Sequence, residues 1–196
     1  FLERESMELE NNYIICEDEK IKIDWDKVVN LHDENALVLP KGCYKRHKKN
    51  KRKPHMIVTH FDVCLSAKSC YRVLKKKGIS SHFAIDNDGT IYQMVDTQNE
   101  GWHAGNRKVN KAAVGIDISN AVYPKYQSWY RKKGFGKRPI LTDVKVHGRT
   151  AMKCLGFYPV QLEAYKVLVK TLCEHYNIPL AMPMADDDTV LRAVHK

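Results

Sequence analysis

The feature that most limits the fold is the succession of short apolar runs between residues 56 and 119, broken by one helical run. Met56-Ile57-Val58-Thr59-His60 reads as a short buried strand ending on a histidine. Residues 66–77 carry a helical pattern with Gly78 at its C-terminal side. His82-Phe83-Ala84-Ile85-Asp86, the turn Asn87-Asp88-Gly89-Thr90 and Ile91-Tyr92-Gln93-Met94-Val95 make a β-hairpin. Residues 113–119 form another apolar strand, and it carries one carboxylate, Asp117. Later, Leu162, Tyr165, Leu168, Val169 and Leu172 recur at helical spacing across residues 159–176, and Asn177 and Pro179 end that helix. Strands alternating with helices predict an α/β fold: a single domain with a mixed central β-sheet flanked by helices. A chain of 196 residues suits one domain with an appendage.

The flanks are less regular. Residues 1–54 read as an acidic N-terminal extension, with strands at 13–16 and near 21–23, followed by a basic connector bounded by Gly42 and Pro54. Residues 55–196 read as the main domain. Within it, residues 121–157 lack periodicity and read as an insertion at the sheet edge or near a cleft, with a small hairpin at 144–150. The acidic residues 186–188 with Thr189 offer a cap for a last helix at 190–196. The chain starts without a Met or a signal pattern, so a fragment or processed product is expected.

Much of the net charge of +10 sits in Lys45-Arg46-His47-Lys48-Lys49-Asn50-Lys51-Arg52-Lys53. Such a block prefers solvent and attracts polyanions. No aromatic residue interleaves it and no DNA-binding signature surrounds it, so specific nucleic-acid recognition is not expected; an anionic cell-wall polymer is a compatible partner. No run approaches the roughly 20 apolar residues that span a bilayer. The six cysteines contain no CxxC pair, and buried free thiols are the default. Cys64 and Cys70 are close enough in sequence to pair.

Four residues invite chemistry. His60, at a strand end, suits either a metal ligand or a hydrogen-bonded rim residue. Asp117 is either a carboxylate beside a metal-activated water or an edge-strand residue facing solvent. Trp102 and His103, beside Ala104 and Gly105, suit a wall that receives a sugar or peptide, or a loop packed by its Trp. His82 is expected to make a local hydrogen bond. Asp86, Asp88 and Gly89 are turn residues.

In order and spacing, His60, the segment Ser80 to Gln93, Gly101-Trp102-His103-Ala104-Gly105, Val114-Gly115-Ile116-Asp117-Ile118 and Phe157-Tyr158-Pro159-Val160-Gln161-Leu162 resemble the zinc-dependent N-acetylmuramoyl-L-alanine amidases. That family includes phage lysozyme-type amidases and peptidoglycan recognition proteins. The resemblance covers about residues 56–180 and implies a zinc cleft on one face of the sheet. It further implies hydrolysis of the bond between N-acetylmuramic acid and L-alanine by zinc-activated water. His60 matches the first zinc ligand, Asp117 falls where many members carry a catalytic glutamate, and Trp102 and His103 match the loop bordering the substrate groove. It implies Zn2+ as cofactor, bacterial peptidoglycan as partner, and action at the cell wall after delivery by phage lysis or a virion. A non-catalytic peptidoglycan-binding module on the same fold is the alternative. Cys64 and Cys70 are spaced like a disulfide of the recognition-protein branch. The chain departs from the pattern in three ways. Asp117 is one methylene shorter than glutamate, and the 121–157 segment is long. No His with a downstream Asp or Cys follows the long helix: His195 is the only late histidine, so the remaining ligands are expected beyond residue 196.

Overall fold

The computed structural model describes residues 12–49, 51–146, 149–150 and 153–181. In chain order it contains β1 (Tyr13–Cys16), β2 (Glu19–Lys22), β3 (Val28–Val29), β4 (Tyr44–Lys45), β5 (Met56–Phe61), α1 (Ala67–Lys77), β6 (Phe83–Ile85), β7 (Ile91–Gln93) and β8 (Glu100–Gly101). There follow α2 (Arg107–Ala112), β9 (Ala113–Ile118), a 3-10 turn (Pro124–Tyr126), α3 (Gln127–Lys132), β10 (Ile140–Leu141), β11 (Lys145–Val146), β12 (Arg149–Thr150), β13 (Cys154–Leu155) and α4 (Pro159–Tyr176).

The central sheet runs β3-β7-β6-β9-β5. β7 and β6 are antiparallel, while β6, β9 and β5 are parallel to one another, which makes the sheet mixed as expected. Its two faces are sorted by the two-residue period of strands. Val114, Ile116 and Ile118 of β9 pack with Phe83 and Ile85 against Ala164, Leu168 and Leu172 of α4. On the other face, Ala84, Met94 and Val95 pack against Ala67, Cys70 and Leu74 of α1. The face of Gly115 and Asp117 is therefore the face of α1. The N-terminal hairpin β1–β2 is no loose appendage, because Ile14, Cys16 and Ile23 join the α4-side core.

Local signals explain the helix ends. Ser66 Oγ accepts the Ser69 amide and Ser69 Oγ accepts the Ser66 amide, a reciprocal cap at the start of α1. Gly78 ends α1 at φ +65, a left-handed conformation that glycine adopts without a Cβ penalty. Pro159 opens α4, and Asn177 closes it in the left-handed region.

Several expectations need correction. β5 is an edge strand whose residues are half-buried or exposed, not a buried one, because among the described strands only β9 pairs with it. β2 spans Glu19–Lys22, two residues earlier than the apolar pair suggested, because the turn at Glu17–Asp18 sets its register with β1. In α4, Leu162 is 40% exposed while Gln161 is fully buried. The Gln161 Nε2 donates to Ser119 O at 2.9 Å and to Ile85 O, so a polar side chain is buried by satisfying two carbonyls at the sheet end. The basic run is not uniformly solvated either. Arg52 is buried and donates to the carbonyls of Thr97, Asn110, Lys111 and Ala113.

The 121–157 segment has short elements of its own. β10 pairs with β13, and β11 pairs with β12 where a small hairpin was expected. Arg138 pins the segment to the sheet. Its guanidinium lies 4.3 Å from the ring centroids of both Tyr130 and Tyr158, and it donates to Gly156 O, Ser119 O and Asn87 Oδ1. The expected helix at 190–196 and its cap lie outside the described residues. No helix among the described residues is long and apolar enough to cross a membrane.

Candidate active site

β5 and β9 are parallel neighbours in register, and His60 stands opposite Asp117. Paired residues in adjacent strands point to the same side of a sheet, so both side chains leave on the α1 face. Both also lie near the carboxyl ends of their strands. Ligands of open α/β sheets bind outside those ends. Asp117 is 6% exposed and belongs to a central strand, which rules out the solvent-facing edge reading.

Burial raises the Asp117 carboxyl above its usual range, while a hydrogen bond from Ser81 and the charge of His60 oppose the rise. A carboxylate lifted in this way is a better proton acceptor than an exposed one.

His103 completes a nitrogen cluster. Its Nδ1 is 3.2 Å from His60 Nε2, and the two rings meet edge to face at 5.4 Å between centroids. The His103 ring lies on Gly115: a Cβ there would come within 2.6 Å of its Cδ2. Glycine at 115 is what lets the loop imidazole approach the strand. Burial, followed by the charges of His60 and Arg52, pushes the His103 imidazole down to about 4, so the ring is neutral at pH 7. Its Nε2 is buried and has no hydrogen-bond partner among the described residues. The loop itself is tied by Asn110 Oδ1, which accepts the His103 and Ala104 amides. Trp102 is half-buried, and its amide donates to Ser80 Oγ at 3.0 Å.

His82 corrects a further expectation. Its contacts are not local. Nδ1 accepts the Gly115 amide at 3.0 Å, so Nε2 carries the proton and meets Asn99 O at 2.9 Å. The buried ring thus bridges β9 to the loop before β8, and burial keeps it neutral. The turn reading of Asp86 holds in an extended form, since Asp86 Oδ1 also accepts the Ala67 amide at the start of α1.

A second cluster lies on the other side of Asp117. Asp62, Cys64 and Cys70 bring one ligand atom each within 4.8 Å of one another, and Cys70 Sγ is 3.8 Å from Asp117 Oδ2. Sequence reasoning gave Asp62 no role. The D-x-C spacing of Asp62 and Cys64, with Cys70 one turn into a helix, was the available signal. All six cysteines are free thiols, four of them buried as expected while Cys64 and Cys154 are half-buried, and Cys64 and Cys70 are unbonded neighbours.

The pattern of the family described as N-acetylmuramoyl-L-alanine amidase matches residues 50–190. The chain belongs to this amidase family. Similar solved structures include the endolysin N-acetylmuramoyl-L-alanine amidase LysCS from Clostridium intestinale, at 25% identity and TM-score 0.41, covering 65% of this chain and 66% of that one. Another is the amidase AmiD from E. coli in complex with anhydro-N-acetylmuramic acid-L-Ala-D-gamma-Glu-L-Lys, at 21% identity and TM-score 0.43, covering 68% and 49%. A mutant endolysin from Bacillus subtilis is similar at 22% identity and TM-score 0.43, covering 86% and 80%. The chain thus spans less than two thirds of the first two of these structures. No curated protein matches the sequence.

The donors around His60 fit the zinc that this family implies in kind. Zinc takes neutral imidazole, thiolate or carboxylate ligands, and His60 Nε2 and His103 Nδ1 converge beside a buried carboxylate. Among the described residues, however, no group of three mutually close donors includes His60.

Proposed function

We propose that the chain is a zinc-dependent peptidoglycan hydrolase cleaving the amide between N-acetylmuramic acid and L-alanine of the stem peptide. The observation that carries the reading is the placement of His60 beside Asp117 at the strand ends of an amidase-family chain, with His103 against His60. His60 would hold the zinc, with further ligands from outside the described residues. When bound, zinc supplies Lewis acidity toward the amide carbonyl and the attacking water.

The chain's own residues do the rest. Asp117 accepts the proton of the water as it adds to the carbonyl, and returns it to the leaving nitrogen of L-alanine. One water is consumed, and a lactyl carboxylate and a free amine result. His103, held neutral, packs edge to face on the His60 ring and so orients it. Trp102 and His103 border the substrate. The basic run at 45–53 draws the protein toward anionic wall polymers. We further place its origin in a phage or prophage, with action at the cell wall after lysis or from a virion.

Because no three-donor group among the described residues includes His60, a wall-binding module without catalysis is the second reading. Muropeptide mass spectrometry separates the two. Zinc-loaded protein incubated with purified peptidoglycan is expected to release stem peptides beginning at L-alanine, and none with chelator. Intact peptidoglycan with co-sedimenting protein would replace the amidase by the binding module.

A further inference from the structure

We propose that Asp62, Cys64 and Cys70 form a second metal site, separate from that of His60, for a zinc-like divalent cation that accepts thiolate ligands. The three ligand atoms come from two pieces of backbone, the segment after β5 and the first turn of α1, and lie within 4.8 Å of one another. Bonds of about 2.0–2.3 Å in a tetrahedral shell place ligand atoms about 3.3–3.8 Å apart, so the site needs to contract by at most about 1.5 Å. Asp117 Oδ2, 3.8 Å from Cys70 Sγ, lies beside the three donors without belonging to their group, which leaves the fourth position to water.

Two further observations favour a cation. Asp62 is oriented before any metal arrives: its Oδ1 accepts the amides of Cys64 and Asn120, and its Oδ2 accepts the Ser119 hydroxyl. Metal-ligating carboxylates are held by such partners. The cluster and its neighbour Asp117 together gather two carboxyl groups and two thiols, while no Lys or Arg among the described residues forms an ion pair with Asp62 or Asp117. Burying acidic groups without a cation is costly, and a divalent ion removes that cost. On binding, the two thiols release their protons to solvent and no electron is transferred. The ion would tie α1 to the end of β5.

Cd2+ is the probe, because cadmium–thiolate coordination has its own ultraviolet charge-transfer band. The full chain is reduced, freed of metal and titrated with Cd2+. The same is done for His60→Ala, Cys64→Ser and Cys64→Ser/Cys70→Ser. The band is expected in the unmodified protein and in His60→Ala, weakened at least about tenfold in affinity in Cys64→Ser, and absent in the double variant, which binds one equivalent less. Cys64 is half-buried, so its single variant keeps the test open if the double variant does not fold. Persistence of the band in a folded double variant, or no band in the unmodified protein, overturns the site. So does a count of four thiols in the unreduced, denatured protein together with no band after reduction, which assigns the pair to a disulfide. Retention of the band in His60→Ala keeps this result separate from that of the amidase reading.

Discussion

The two flanks of Asp117 are made of different chemistry and held in different ways. The nitrogen flank consists of His60, His82 and His103, and it is backed by Arg52, whose guanidinium binds carbonyls on both sides of the segment carrying His103, Thr97 before β8 and Asn110, Lys111 and Ala113 at the α2–β9 junction. The sulfur flank consists of Asp62, Cys64 and Cys70, and it is backed by Arg138, which reaches it through Ser119. Each buried cation donates to backbone carbonyls, with ring faces and the Asn87 amide oxygen added for Arg138, whose Nε alone lacks a partner, and among the described residues neither pairs with a carboxylate. An arginine used in this way fixes chain segments without cancelling the charge of the site's acids. The difference is that burial first, with the charge of Arg52 adding to it, keeps His82 and His103 neutral, whereas Arg138 reaches the sulfur flank only through Ser119.

The contrast can be broken experimentally. The largest effect is expected on removing the nitrogen flank's outer member. His60→Ala, or chelation of the unmodified protein, should reduce stem-peptide release to the background rate, read by mass spectrometry. Asp117→Asn follows, with a loss of about 10²–10⁴-fold in kcat/KM and an unchanged circular dichroism spectrum.

The arginines come next. Arg52→Met and Arg138→Met should each destabilise the fold by about 2–4 kcal/mol in urea titrations, because buried carbonyls lose their donors. Only Arg52→Met should also slow hydrolysis at temperatures where both variants are folded. Equal slowing would mean that the flanks are not separately supported. Gly115→Ala places a methyl where the His103 ring lies, and should cost about 1–3 kcal/mol with a matching fall in activity. Lys166→Ala, far from both flanks and in an exposed pair with Glu163, should change stability by less than about 0.5 kcal/mol.

How much of this could be read from the chain depended on whether the deciding interaction was local. α4 was legible to the residue, because Pro159 and Asn177 mark its ends and its apolar stripe is long. The β6–β7 hairpin was legible from its Asn-Asp-Gly-Thr turn, although both strands are shorter than their apolar runs. His60 and Asp117 could be named from their strands and spacing, but their pairing is set by the β5–β9 register. The burial of Gln161 and Arg52 was illegible. Periodicity ranks residues by polarity, and these two are buried because distant carbonyls needed donors. His82 failed for a similar reason, since its partners lie 17 and 33 residues away. The sulfur flank was partly visible as a pair of near cysteines, but Asp62 gained its place only through Ser119 and Asn120.

Arg52 also changes what the basic run is. The segment begins in β4, paired with β8, and is fastened near its other end by a guanidinium turned inward onto four carbonyls. A free polyelectrolyte tail gives up conformational entropy along its whole length when it settles on a polyanion. Here much of that loss has already occurred during folding, and the lysines between the two anchors form a short tethered arc. Contact with an anionic surface should therefore cost this arc less disorder than the same residues would lose at a free chain end.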